Sequence, residues 1–161
     1  MAQTVKIKNY SDIMEEYVAA AALSPGMLVE PTPSATTIRK HATEGGNAIP
    51  MFAVENELEG EGLTDAFAAG DQVQVWIPGR GDIVYAQVED EQNIAIGDFL
   101  ESNGAGYLQL HEEDSADSDD AFVSYTGQII GQAIEALDLS GLSAAGSSDT
   151  PIRQFLRVRI A

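Results

Sequence analysis

No cysteine occurs in this 161-residue chain. Disulfide frameworks, thiolate metal ligands and cysteine nucleophiles are thereby excluded, and nothing marks a redox compartment. Basic residues are scarce as well: eight Lys and Arg stand against 26 Asp and Glu, a formal net charge of −18. A surface of that sign repels phosphate over most of its extent, so no nucleic-acid partner is expected. Long apolar runs are also missing. The start, Met1-Ala2-Gln3-Thr4-Val5-Lys6-Ile7-Lys8, lacks the apolar core of a signal peptide, and no stretch reaches the length of a membrane-crossing helix. A soluble protein without a membrane partner is expected.

Catalytic signatures are absent in the same way. There is no phosphate-cradling Gly-Lys-Ser/Thr loop, no dinucleotide fingerprint, no zincin helix and no Gly-x-Ser-x-Gly elbow. Two histidines, His41 and His111, lie beside polar residues and read as surface groups. Six carboxylates crowd the nine residues from Glu112 to Asp120, but no Gly stands sixth from Asp114 and no Glu closes a loop. The run fails the calcium-loop template and reads as a solvated segment. The expectation is a non-enzymatic protein with no catalytic residue, no metal site and no cofactor.

What is present is one phrase repeated three times, a small-residue turn with Gly followed by a short alternating run. It occurs at Ser24-Pro25-Gly26-Met27-Leu28-Val29, Ala69-Gly70-Asp71-Gln72-Val73-Gln74-Val75 and Ile96-Gly97-Asp98-Phe99-Leu100. Gly and Asp supply turns, and period-2 runs suit half-buried strands. The phrase predicts an all-β fold, a small antiparallel β-barrel or sandwich with an extended N-terminal arm and little helix. Residues 1–14 are assigned to the arm and 15–161 to a single β-rich domain.

Two hairpins are expected. Gln72–Ile77 and Asp82–Val88 flank Pro78-Gly79-Arg80-Gly81, and Asn103-Gly104 separates Asp98–Glu101 from Tyr107–Leu110, where Asn-Gly favours a two-residue primed turn. Ile129–Leu137 and Phe155–Ile160 read as further strands, joined by a Ser/Gly/Ala-rich loop at Ser140–Ser148. Residues 12–22 are ambiguous: Asp12 and Glu15 have capping-box spacing and the alanines favour helix, yet the segment runs straight into a turn and a strand. Arg80-Gly81-Asp82 spells an integrin-read tripeptide but supplies what any tight turn wants.

Aromatic placement offers candidate interface residues. With Val73, Val75 and Ile77 on one face, Trp76 falls on the other with Gln72 and Gln74; Tyr107 sides with Gln109, and Tyr85 with Gln87. Aromatics on polar faces either anchor a subunit or partner interface or are covered by a loop of their own chain. Both readings stand at this point.

The order of phrases resembles the head-decoration, or capsid cement, proteins of tailed bacteriophages. The resemblance is carried by Glu16-Tyr17-Val18-Ala19-Ala20-Ala21-Ala22-Leu23-Ser24-Pro25-Gly26-Met27-Leu28-Val29, by the two Gly-Asp phrases, by Ile130-Gly131-Gln132-Ala133-Ile134-Glu135-Ala136 and by Arg157-Val158-Arg159-Ile160. Its motifs are short but span nearly the whole chain; the acidic run at Glu112–Asp120 and the strong negative charge depart from it. The resemblance implies a strand for residues 12–22 and a homotrimer on the outer capsid surface of a virion. Its partner would be the major capsid protein. It further implies a docking arm, for which Val5, Lys6, Ile7 and Lys8 are the candidates. The alternative is a capsid spike or fibre base with a receptor- or glycan-binding face.

Overall fold

Alternating apolar and polar side chains, interrupted by Gly-Asp turns, divide the chain into short strands. The computed structural model describes residues 4–8, 13–34, 36–111, 127–140 and 155–161. The acidic run Glu112–Asp120, Asp12 and nearly all of the Ser140–Ser148 loop lie outside the described residues. In chain order the strands are β1 (Lys6–Lys8), β2 (Ile13–Ala19), β3 (Val29–Pro31), β4 (Thr37–Lys40), β5 (Phe52–Ala53), β6 (Gln72–Ile77) and β7 (Ile83–Gln87). They continue with β8 (Asn93–Ile94), β9 (Phe99–Ser102), β10 (Leu108–Leu110), β11 (Gly131–Ala133), β12 (Leu137–Asp138) and β13 (Phe155–Ile160). Among the described residues a single 3-10 turn, Glu57–Glu59, interrupts them.

One sheet has six strands in the order β1-β7-β13-β11-β9-β10, a second has five in the order β3-β4-β2-β6-β5, and β8 pairs with β12. Among the described residues every strand pairing is antiparallel except β2 with β4, and an isolated bridge from Val88 to Leu108 is also parallel. The sheets do not close into a barrel, so of the two architectures expected the sandwich is the one formed. Between the sheets lies a core containing Phe52, Trp76, Val84, Ala86, Leu100, Leu156 and Val158. A second core, with Leu23, Val29, Ile38, Phe67, Val73 and Val75, covers the opposite face of the five-stranded sheet. β6 is therefore covered on both faces from Val73 to Trp76, while β2 beside it keeps Glu15 and Glu16 exposed.

Residues 13–19 form β2, not a helix. Tyr17 and Val18 favour strand, and β2 pairs with β6 along six positions from Ile13↔Ile77 to Val18↔Gln72. Long-range pairing thus overrides the helical preference of the alanines that follow.

The first expected hairpin does not exist, because β6 and β7 belong to different sheets. Pro78 has no N–H with which to continue the β6 ladder. Beyond it, Gly81 N–H donates to Ile160 O at 3.0 Å and Ile160 N–H donates to Asp82 O at 3.0 Å, handing the chain to β13. The second hairpin, β9 with β10, forms with Leu108 opposite Ser102, but its loop is longer than the two-residue turn expected. Asn103 keeps a negative φ, and its side-chain oxygen instead accepts the N–H groups of Ala105 at 2.8 Å and Tyr107 at 3.0 Å. The Ile129–Leu137 segment is two strands, β11 and β12, parted by a bend.

Two of the three repeated phrases, together with the Gly79–Asp82 turn, share a capping device; the Ser24–Met27 turn, which has no aspartate, does not. At Ala68–Asp71, Gly79–Asp82 and Ala95–Asp98 the aspartate carboxylate accepts the N–H of the first turn residue at 2.7–2.8 Å. The aspartate N–H donates back to that residue's carbonyl at 3.1–3.3 Å. The third position is Gly70, Gly81 or Gly97, each with φ between 92° and 99°, as the central bend of a type II turn requires. Gly62–Asp65 repeats both hydrogen bonds with Thr64 in the third position. The integrin-like tripeptide lies inside the second of these turns, where Asp82 is wholly buried.

Candidate docking surface

The outer face of the six-stranded sheet follows from its register. Val84 and Ala86 of β7 point inward with Val158 and Leu156 of β13, so the residues between them point outward. One row runs Ile83 (β7), Arg159 (β13), Gln132 (β11) and Phe99 (β9), each opposite the next. His111, whose N–H donates to Phe99 O at 2.9 Å, ends the row. Beside it Tyr85 stands opposite Arg157. Lys8 is exposed opposite Ile83 at the sheet edge, whereas Lys6 is part-buried opposite Val84, with an irregularity of register between the two.

Local turns fix this surface. The Gln132 amide donates to Gly97 O at 2.9 Å, tying β11 to the Ala95–Asp98 turn that carries Ile96. Ile96 is 70% exposed, and Phe99, the next residue but two, is 47% exposed. Arg157 pairs with Glu135 at 3.3 Å, and the buried Glu101 carboxylate meets His111 Nδ1 at 2.5 Å and accepts from the Gln109 amide at 3.2 Å.

Of the residues singled out from the sequence, Tyr85 is brought beside the Val5–Lys8 segment, while Trp76 and Tyr107 lie elsewhere. Trp76 is fully buried in the central core, with Met14 and Phe52 opposite it on the neighbouring strands, so it cannot anchor an outer interface. Sequence alternation placed it correctly opposite Val73 and Val75; what it missed is that both faces of β6 are covered. Tyr85 lies on the outer face but is only 8% exposed and stacks on Phe155 with ring centroids 5.0 Å apart. Tyr107 is half-buried in the β9–β10 loop and packs against the second core.

The N-terminal candidates form no free arm. Lys6–Lys8 pair with β7, Val5 is fully buried, and Tyr85 N–H donates to Val5 O at 2.7 Å. Val5 N–H in turn donates to the buried carboxylate of Glu55, at 3.1 Å to its nearer oxygen. A backbone donor and a buried carboxylate satisfy each other here, which stitches the segment down.

His41 is buried rather than exposed. Its Nδ1 lies 2.7 Å from Ser102 Oγ, and its Nε2 lies 3.2 Å from Asn47 O and 3.7 Å from Glu30 Oε2. The order Ser-His-Glu is that of a hydrolase triad. Ser102 is wholly buried, however, and its Oγ accepts the Gly104 N–H at 3.1 Å, so the cluster joins loops and offers no hydroxyl to a substrate. Among the described residues no three His, Asp or Glu side chains are grouped to hold a metal ion.

Burial lifts the Tyr85 phenol above its ordinary value of 10.0, with Glu135 adding to the shift and Arg157 opposing it. Burial and then Asp90 raise Tyr107 likewise. The folded chain therefore keeps phenolic protons that the unfolded chain releases once the pH passes about 10. Stability attributable to these groups is expected to be constant below that pH and to decline as pH rises through the folded values. Thermal melts across an alkaline series, with tyrosinate absorbance as the parallel readout, check this; Tyr85→Phe should blunt the decline, and a decline beginning near neutrality would contradict it.

The two sheets make an open, largely antiparallel β-sandwich with Ile96 and Phe99 exposed on one outer face. No family model matches the chain, and no curated protein matches it. Five chains of solved structures do. Among them is the head fiber gp8.5 N base of bacteriophage phi29, with a TM-score of 0.55 and 13% identity over 94% of this chain and 95% of that one. At that identity the likeness is one of fold.

Proposed function

We propose that the chain is a non-enzymatic structural protein of a phage virion. It would sit on the outer capsid surface, bind the major capsid protein, and stabilise the shell as a decoration or cement protein. The observation that carries this reading is the end-to-end correspondence of its sandwich with the phi29 head fiber base. The order of its sequence phrases supports the same reading. The second reading is a fibre base displaying a receptor- or glycan-binding face; its fibre-base part is favoured by that neighbour's being the base of a head fiber. Either role is compatible with a homotrimer. β1 is the last strand of its sheet, and a strand supplied by the shell would add at that edge.

Quantitative mass spectrometry of purified virions separates the two. A copy number near parity with the major capsid protein is expected for a cement protein. A few copies per particle would establish a fibre base, and absence from the particle would overturn both.

A further inference from the structure

Asn103-Gly104 does not make the two-residue turn that its sequence suggests, and its side chain is used in another way. Asn103 Oδ1 accepts the N–H groups of Ala105 at 2.8 Å and Tyr107 at 3.0 Å, which folds the side-chain amide back over the Gly104 peptide. Two backbone donors on one carbonyl oxygen polarise it as an oxyanion hole does, and they make Cγ a better electrophile. The nitrogen beneath it belongs to Gly104. That residue has a φ of 75°, and a Cβ there would lie 2.8 Å from Glu44 N, so only glycine fits and no side chain shields its nitrogen.

The Gly104 N–H points at a proton path. It donates to Ser102 Oγ at 3.1 Å, and Ser102 Oγ lies 2.7 Å from His41 Nδ1. The Asn47 carbonyl, 3.2 Å from His41 Nε2, can only accept, so in the neutral ring Nε2 carries the proton and Nδ1 accepts from the Ser102 hydroxyl. Glu30 on β3, paired with Arg39 at 2.8 Å, places a carboxylate oxygen 3.7 Å from Nε2. A carboxylate there favours the imidazolium that forms when Nδ1 takes a proton. Ser102 and His41 are both buried, which shields the path from bulk water.

We propose that Asn103-Gly104 is a self-modification site, at which the folded chain converts Asn103 to aspartate or isoaspartate. Gly104 N attacks Asn103 Cγ while its proton passes to Ser102 Oγ and the serine proton passes to His41 Nδ1. The negative charge that develops on Oδ1 is held by the Ala105 and Tyr107 N–H groups. The proton then returns through Ser102 to Nδ2, the Cγ–Nδ2 bond breaks, and ammonia leaves a succinimide. Water opens that ring at either carbonyl. Ser102 touches the reacting nitrogen and is the catalytic residue, whereas His41 and Glu30 act through it as positioning residues. The substrate is the chain's own amide, so a hydroxyl closed to any outside substrate still serves. This chemistry stands apart from the virion reading.

The test follows Asn103 by peptide mapping and mass spectrometry while the purified full chain is incubated at neutral pH, with ammonia release as the parallel readout. The same chain held unfolded in guanidinium chloride is the reference, because it keeps the dipeptide and loses the cluster. Folded wild type is expected to convert Asn103 about tenfold or more faster than the unfolded chain. Its rate should level off as pH rises, whereas the unfolded rate climbs with hydroxide. Ser102→Ala should slow the folded rate by about tenfold or more. His41→Gln, which still hydrogen-bonds Ser102 but takes up no proton, should slow it and restore the climb with hydroxide. Melting curves identify the variants that fold, and folded variants that keep the wild-type rate would overturn the proton path. A folded wild type that converts no faster than the unfolded chain would overturn the proposal whatever the variants do.

Discussion

Trp76→Ala is expected to destabilise the protein by about 3–5 kcal/mol, the range for deleting a large aromatic from a packed core. Trp76 is fully buried between the two sheets, flanked by Phe52 on β5 and Met14 on β2. No other described side chain of that volume is available to fill the space, and β2, β5 and β6 meet there. At the 2–4 °C per kcal/mol typical of a domain this size, the melting temperature should drop by roughly 6–20 °C. The reading of Trp76 as an interface anchor makes the opposite claim: melting unchanged, assembly lost. A thermal melt of the purified variant decides between them. Trp76→Phe should retain most of the stability, because it keeps much of the buried area.

Gly131→Ala is expected to cost about 3 kcal/mol, near the upper end for overpacking by a single methyl. Gly131 lies in β11, with Ile160 of β13 on one side and Leu100 of β9 on the other. A Cβ added there would lie 2.5 Å from the Arg159 carbonyl oxygen and 2.6 Å from Val158 Cγ1. The oxygen belongs to the backbone and cannot rotate away, so β13 would have to move off β11. Hydrogen exchange provides the local readout: the amides of Ile130 and Ala133, which donate to Leu100 O and Asp98 O, should lose protection first. A melting temperature within a degree or two of wild type would show that the sheet absorbs the methyl.

The all-β class was legible because its signal is local. Gly-Asp turns and period-2 runs state where strands begin, and the closing strand Phe155–Ile160 was read to its boundaries. Partners were not legible. Gln72–Ile77 and Asp82–Val88 look like a hairpin because both alternate and a turn joins them, yet the hydrogen bonds that send β7 to another sheet come from Ile160, far along the chain. The fate of Trp76 was hidden for the same reason: alternation reveals that a strand has two faces, not how many are covered.

The candidate face was least visible of all. Its central row draws on residues 83, 99, 132 and 159, one from each of four strands, and only the assembled register aligns them. In sequence Phe99 appeared only as part of a turn phrase, and Arg157 and Arg159 as a cationic terminus. His41 was misread because its immediate neighbours are polar, while Ser102, which orients it, is distant.

The position of β13 has a consequence for how the molecule is made. The last strand in sequence is inserted in the middle of the six-stranded sheet, between β7 and β11. During synthesis the ribosome delivers β1, β7, β9, β10 and β11 first, as two half-sheets with a strand-wide gap between them. Each half-sheet presents an unsatisfied edge, the feature that invites pairing with a neighbouring chain. Closure of this sheet is therefore governed by sequence-distant contacts, and the nascent chain is most vulnerable to mispairing just before β13 emerges.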